Sequence, residues 1–416
     1  MSDFESDTSG ARERQLATPS VVVSGLGTLG PAGLGVEALA LALAEGRAAT
    51  RHDFGAPPSD LSPWLSPRAA RRMSPPSKLA VVATRMALED AGLDGEGLPA
   101  PVAVVAATSF GPSSFTEGLL AQIFGEGPQA ASPFYFTESV ANAAAAQVAL
   151  VLRARGPNIT VTQREAGPWI ALARAAAEIR RGRAASAVVL AVDEMTELLL
   201  DVLDRFGAHA SGPARPFDRR RDGLVASQGA TALVLEAEDR VGARGGKARA
   251  RVRGGIQGFD PGATATSWSD DPTALVAVLE RGLGRLGLSP ADCDRVVSGA
   301  SGTRAGDRLE AKVLRCLFGG ASPTVLAPKS VAGEYAGGQL AAALLALSDR
   351  PWGATAGFAE PDPELDLVPH DGRALPSPRR VLAGSLAAGG AAAWGVLESV
   401  DPVADPVVDP SGDGGR

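Results

Sequence analysis

Residues 156–184 read GPNITVTQREAGPWIALARAAAEIRRGRA. An apolar run at 159–162 predicts a short buried strand. A tight turn follows, and then a long Ala-rich helix with Pro168 in its first turn, where a missing N–H does no harm. The turn that opens such a helix is a common seat for a nucleophile, because the helix N-terminus favours negative charge. Here the seat holds Glu165, with Arg164 before it.

The same strand–helix rhythm extends in both directions. Apolar strands are predicted at 102–108, 186–192 and 229–237, and after them at 295–301, 324–328 and the two terminal runs RRVLAGSLA and AAAWGVLES. Helical stretches lie between them, including 272–288, 306–319 and 337–348. Alternation of this kind predicts a layered α/β fold with buried sheets, apolar on both faces. The organisation expected is a polar tail at 1–19, similar halves at 20–240 and 241–400, and a loose Asp-Pro-rich tail at 401–416. The first strand, residues 21–23, is expected to enter a Gly-rich turn. The G-x-G-x-x-G spacing at 25–30 resembles a dinucleotide fingerprint. However, no acidic residue closes a second strand about 20 residues on, so a simple strand–loop–helix is preferred.

Composition narrows the function. The 416 residues are 45% apolar and 21% charged, with a net charge of −7, which disfavours a nucleic-acid track. The basic run at 215–223 is interleaved with Asp218 and Asp222 and reads as an ion-paired turn. No apolar run approaches the ~18–20 residues of a membrane span, and no signal-peptide core opens the chain, so a cytoplasmic protein is expected. Two cysteines and three histidines, His52, His209 and His370, form no metal motif, and no metal is expected. Cys316 is expected in a helix core and Cys293 in a loop, while His209 is expected to face solvent or, in a second reading, an entrance.

Several segments together resemble the β-ketoacyl synthases. RPFDRRRDGLVASQGATALVLE at 215–236 resembles that family's RPFDxxRDGFVxGEGAxxLVLE, with Ser227 and Gln228 in place of Gly-Glu. PKSVAGEYAGG at 328–338 resembles KSxxGHxxGA, GDRLEAKVL at 306–314 resembles the helix after a catalytic histidine, and GSLAAGG at 384–390 resembles NSFGFGG. The segment at 156–184 aligns with the family's nucleophile segment without a gap. The resemblance implies a thiolase-like fold of five layers, α-β-α-β-α, built from two similar halves and usually dimeric.

It also implies a Cys-His-His site, and none of the three is present. Glu165 takes the cysteine position and Glu334 that of the second histidine. The shortened loop ASGTRAGD places the first histidine at Ser301 with a gap, or at Gly299 without one. Asp307, Glu310 and Lys329 fall at positions of a polar network around the site. Leu386, Ala388, Gly389 and Gly390 fall in the gatekeeper loop, where phenylalanines are usual at 386 and 388. Such a chain is most similar to the chain-length factors of type II polyketide synthases. The implied partners are an active ketosynthase subunit and acyl carrier protein, whose phosphopantetheine arm is served by the partner. No cofactor of this chain's own is implied. Two other readings stay open: a stand-alone acyl-thioester enzyme using Glu165 and Glu334 as paired carboxylates, and a non-catalytic homodimeric scaffold. If both glutamates share a cavity, one should have a raised pKa. The aromatic segments at 110–115 and 132–142 read either as core or, by resemblance, as dimer interface and acyl tunnel.

Overall fold

The computed structural model describes residues 18–50, 60–93, 97–319 and 323–400. The C-terminal tail, residues 1–17 of the N-terminal tail and His52 lie outside the described residues. Eleven strands are described: β1 (Val21–Gly30), β2 (Gly33–Leu34), β3 (Val102–Ala107), β4 (Asn158–Val161), β5 (Ser186–Asp193), β6 (Gly229–Ala237), β7 (Ala250–Phe259), β8 (Arg295–Val297), β9 (Thr324–Leu326), β10 (Arg380–Leu386) and β11 (Ala391–Glu398). They follow one another in the order β4-β3-β5-β6-β1-β7-β11-β10-β8-β9, with β2 folded back on β1.

The order is a duplication. Leaving β2 aside and counting outward from the β1–β7 junction, each half places its first strand, its last, its next-to-last, then its second and third. The directions repeat as well: β3 and β8 are each parallel to both neighbours, while β6 and β11 are antiparallel to both of theirs. Within the sheet, the halves pair through Val22 opposite Arg251 and Val23 opposite Ala250.

Alternation along the strands sorts side chains into three cores. In β5, Ala187, Val189 and Ala191 enter a central core, whereas Val188, Leu190 and Val192 enter an outer one. The central core holds the helices Gly167–Arg180 and Gly338–Leu345 between the sheet halves. Pro75–Asp90 and Ala143–Leu152 cover the outside of the first half, and Thr273–Arg285 and Arg304–Phe318 the outside of the second. Helix, sheet, helix, sheet, helix is the five-layered arrangement expected. A helix enclosed on both sides must be slim, and Ala171, Ala175 and Ala176 make it so.

The structure corrects, adds to or narrows the sequence reading at four points. The glycines after residue 23 do not form a turn, because β1 continues to Gly30 with a bulge near Ser24. A Cβ on Gly25 would lie 2.0 Å from the Ala87 carbonyl oxygen, and one on Gly27 would lie 2.1 Å from that of Ala83. These glycines let the helix Pro75–Asp90 approach the sheet, and no phosphate loop exists here. The strand β7 is not among those expected: its arginines and glycines obscure a plain alternation of buried and exposed residues. Cys316 is exposed rather than in the helix core, and Cys293 lies in a loop as expected but is buried there. On the helix Arg304–Phe318 the buried residues include 307, 310, 311, 314 and 317, and 316 lies off that stripe. Finally, of the two readings left open for the aromatics of 110–115 and 132–142, an ordinary core is not what the structure has. The helix Ser113–Glu126 buries none of its residues, and Phe110, Phe134 and Phe136 are exposed. Phe115 stacks edge-on against Phe134 and Tyr135 at 5.4 and 5.2 Å.

Among the described residues no helix is long and apolar enough to cross a membrane.

Candidate functional site

After β4 the chain turns through Arg164, whose φ of 45° is left-handed, a conformation uncommon for a residue with a side chain. One 3₁₀ turn, Arg164–Ala166, runs directly into the helix Gly167–Arg180. This places Glu165 on the wall of a cavity of about 360 Å³, together with Glu334 and Ala388. Arg164 reaches back across the gap between the halves, its Nη1 donating to the Ala388 carbonyl at 3.4 Å.

Glu334 comes from the second half. Its backbone N–H donates to Val225 O at 2.7 Å, pinning it to the RPFD-containing segment. Lys329, buried at the start of the short helix Lys329–Ala332, donates Nζ to Glu334 Oε2 at 2.7 Å. A third carboxylate, Asp193, closes β5 beneath them. It accepts from Thr108 Oγ1 at 2.8 Å, Ser109 N–H at 2.7 Å, Phe110 N–H at 3.3 Å and Ala336 N–H at 2.9 Å. Sequence reasoning misses Asp193; the available signal is an acidic residue ending an otherwise apolar run.

One lysine thus serves several buried acids. Burial raises the pKa of Glu165; Lys329 and Arg164 oppose this and Asp193 adds to it. Burial also lifts Glu334 to about 7, with Lys329 opposing and Glu165 adding. The Oε2 of Glu165 is buried without a hydrogen-bond partner. The expected raised pKa is therefore present on both glutamates. Each holds its proton more tightly in the fold than in the unfolded chain, so stability falls as pH rises from about 4.5 through about 7. Thermal unfolding should show Tm lower at pH 8 than at pH 5 by roughly 5 °C, and Glu165→Gln should flatten that slope. An unchanged slope in the variant would contradict the assignment.

The polar network divides in two. Asp307 accepts from the backbone N–H groups of Phe217 at 2.8 Å and of Ser301 and Gly302 at 3.2 Å. Glu310 accepts from Ser298 Oγ at 2.7 Å and Gly299 N–H at 2.9 Å. Burial raises them to about 6 and about 7. Both hold the loop at 298–302, whereas Lys329 bonds to Glu334. Ser301 does not reach the cavity wall; Thr303, Arg304 and Ala305 do. A Cβ at Gly299 would lie 2.6 Å from Ser385 Oγ, so that position has no room for a side chain.

Of the gatekeeper positions, only Ala388 lines the cavity. Leu386 is buried in the outer core and its carbonyl accepts from Trp268 Nε1 at 2.8 Å. Gly389 and Gly390 turn the chain between β10 and β11 at φ 95° and 97°, where a side chain would be strained. His209 is buried rather than facing solvent, its Nδ1 3.3 Å from Asp204 Oδ1, because Ala210 N–H pairs with Leu224 O at 2.7 Å and draws the segment inward. The run at 215–223 is the ion-paired turn expected: Arg221 meets Asp362 at 2.6 Å and Arg219 meets Glu360 at 2.8 Å. Among the described residues no cysteine or histidine lines the cavity, and no group of three His, Cys, Asp or Glu could hold a metal ion.

Comparison with known proteins places the chain in a family. The family model for the β-ketoacyl synthase N-terminal domain matches residues 58–240, and that for the C-terminal domain matches residues 250–358. The 3-oxoacyl-(acyl-carrier-protein) synthase 2 of Mycobacterium tuberculosis is 33% identical over 258 residues, 58% of this chain, and the match spans 60% of that relative's length. The α and β ketoacyl synthase subunits of tetracenomycin polyketide synthase from Streptomyces glaucescens are 31% and 30% identical. They cover 84% and 86% of this chain and 90% and 93% of their own. The ishigamide ketosynthase/chain length factor superimposes with a TM-score of 0.83 at 28% identity, over 92% of this chain and all of that one. Identity this even between an α and a β subunit does not separate the two types, so the side chains at the site must.

Proposed function

Since the chain belongs to the β-ketoacyl synthase family, we propose that it is the catalytically silent, chain-length-factor-type subunit of a polyketide-elongating pair. The single observation that carries this reading is the cavity wall itself, where Glu165 and the Lys329-bound Glu334 stand without a thiol or imidazole. An acyl chain on Glu165 would be a mixed anhydride, too reactive to serve as a carrier. A carboxylate at 334 would repel the enolate charge that donors in a condensing site must stabilise. Condensation then belongs to an active ketosynthase partner, and the malonyl units arrive there on acyl carrier protein. This chain needs no prosthetic group of its own. The exposed aromatic face at Phe134 and Phe136 supports a partner-facing role, as do the tetracenomycin β subunit and the ishigamide ketosynthase/chain length factor among its relatives.

One observation favours a second reading. Burial raises the pKa of Glu165 and pushes that of Glu334 up to about 7, towards the range a general acid needs, so paired-carboxylate chemistry on an acyl thioester is the alternative. Co-expression with an active ketosynthase tests both. The expected result is a one-to-one heterodimer by native mass measurement, with no turnover of malonyl-carrier protein by this chain alone. Turnover by the isolated chain that is lost in Glu165→Ala would instead establish the second reading. A persistent homodimer without turnover would leave only a scaffold role.

A further inference from the structure

A site that lacks a thiol and imidazoles still has a cavity to fill. Met195, Leu203, Phe206, Leu224 and Trp268 give this one apolar sides, and Glu165 and Glu334 place carboxyls among them. Its volume of about 360 Å³ lies at the low end of small-molecule sites, roughly 300–1,000 Å³.

The charges do not balance within the protein. Lys329 is committed to Glu334 at 2.7 Å. Arg164 is exposed, and its Nη1 bonds to the Ala388 carbonyl. Arg304 is also exposed. Asp193 has its own donors from Thr108, Ser109, Phe110 and Ala336, and Asp222 accepts from Ser211. What remains is Glu165 Oε2, buried and without a partner. Glu165 itself lines the open volume, and a carboxyl there with an oxygen left unpaired points to a donor that the protein does not supply.

We propose that this cavity binds the ammonium end of an alkyl amine, with nitrogen donating to Glu165 and Glu334 and the chain lying along the apolar walls. A primary ammonium has three donors and one positive charge, which suits an unpaired oxygen flanked by a second carboxyl. Its charge compensates Glu165, a task that Lys329, held by Glu334, performs only in part. A carboxylate head of the same length meets two carboxyls instead and is repelled. An alcohol can donate one hydrogen bond but carries no charge. The inference concerns binding by this chain alone and goes beyond the partner role proposed above.

Calorimetric titration of the full chain with octylammonium, octanol and octanoate at about pH 7.5, where the amine is charged, tests it. Octylammonium is expected to bind about tenfold or more tighter than octanol, the size of a charge-assisted hydrogen bond, and octanoate more weakly than either. Glu165→Gln, which keeps the shape and removes the charge, should bring octylammonium close to octanol. Ala388→Phe, which fills the cavity with a residue usual in the family, should abolish binding of all three. The proposal is overturned if octylammonium does not bind, if octanoate binds as tightly, if the preference survives Glu165→Gln, or if binding survives Ala388→Phe. Heterodimer formation is read separately, so neither result can mask the other.

Discussion

Lys329→Met is expected to destabilise the fold by about 3 kcal/mol at pH 7, the lower end of what breaking a buried ion pair costs. Lys329 is 3% exposed and bonds Glu334 at 2.7 Å, and it is the largest charge opposing the desolvation of both Glu165 and Glu334. Methionine keeps much of the volume and removes the cation. Both glutamates must then be neutral in the fold, and holding a proton on them costs more as pH rises. The loss should therefore be small at pH 5 and grow towards pH 8. Chemical denaturation at several pH values measures it. The double variant Lys329→Met/Glu334→Gln should recover most of the loss, because it removes the stranded charge along with its partner. A single variant within about 1 kcal/mol of the parent at pH 8, or a double variant no better than the single, would show that the pair is not what holds this site together.

Phe136→Asp is expected to weaken the proposed heterodimer by about 100-fold or more, the effect of losing an aromatic anchor at the centre of an interface. Phe136 is 62% exposed in the single chain, and it sits beside the Phe115–Phe134–Tyr135 stack. A monomer rarely leaves so many large apolar side chains uncovered without a use for them. Because the side chain contributes little to the chain's own core, the Tm of the isolated variant should stay within roughly 2 °C of the parent. Analytical ultracentrifugation of the co-expressed pair provides the reading. A complex that survives the charge intact would place the partner surface elsewhere.

Much of the site is legible in the amino-acid sequence. Glu165, Glu334 and Lys329 lie in segments whose spacing matches a family pattern, and the structure brings all three together. Ser301 is harder to place, because a shortened loop can close its gap in more than one way; only the crowding at Gly299 and the cavity wall at Thr303 resolve it. Asp193 escapes notice because a single acidic residue at a strand end looks the same whether it meets water or accepts four hydrogen bonds from elsewhere in the chain. The exposure of Cys316 has a similar origin. Helical periodicity predicts a stripe, but which residues fall on its edge depends on the neighbour that covers it.

The sequence by itself determined the alternation of strand and helix, the α/β class and the identity of the side chains at the reactive positions. Those properties are local, written in runs of a few residues and in the chemistry of single side chains. Tertiary structure alone decided that β7, with its mixed arginines and glycines, is the strand that joins the two halves. It also decided that the glycines of β1 admit a helix rather than a phosphate, and that Glu165 and Glu334 share one lysine in one cavity. The cavity brings Glu165 close to Lys329 and Glu334, groups more than a hundred residues away in sequence. The proton affinity of a carboxyl is set by how much water packing removes and by which charges packing brings near.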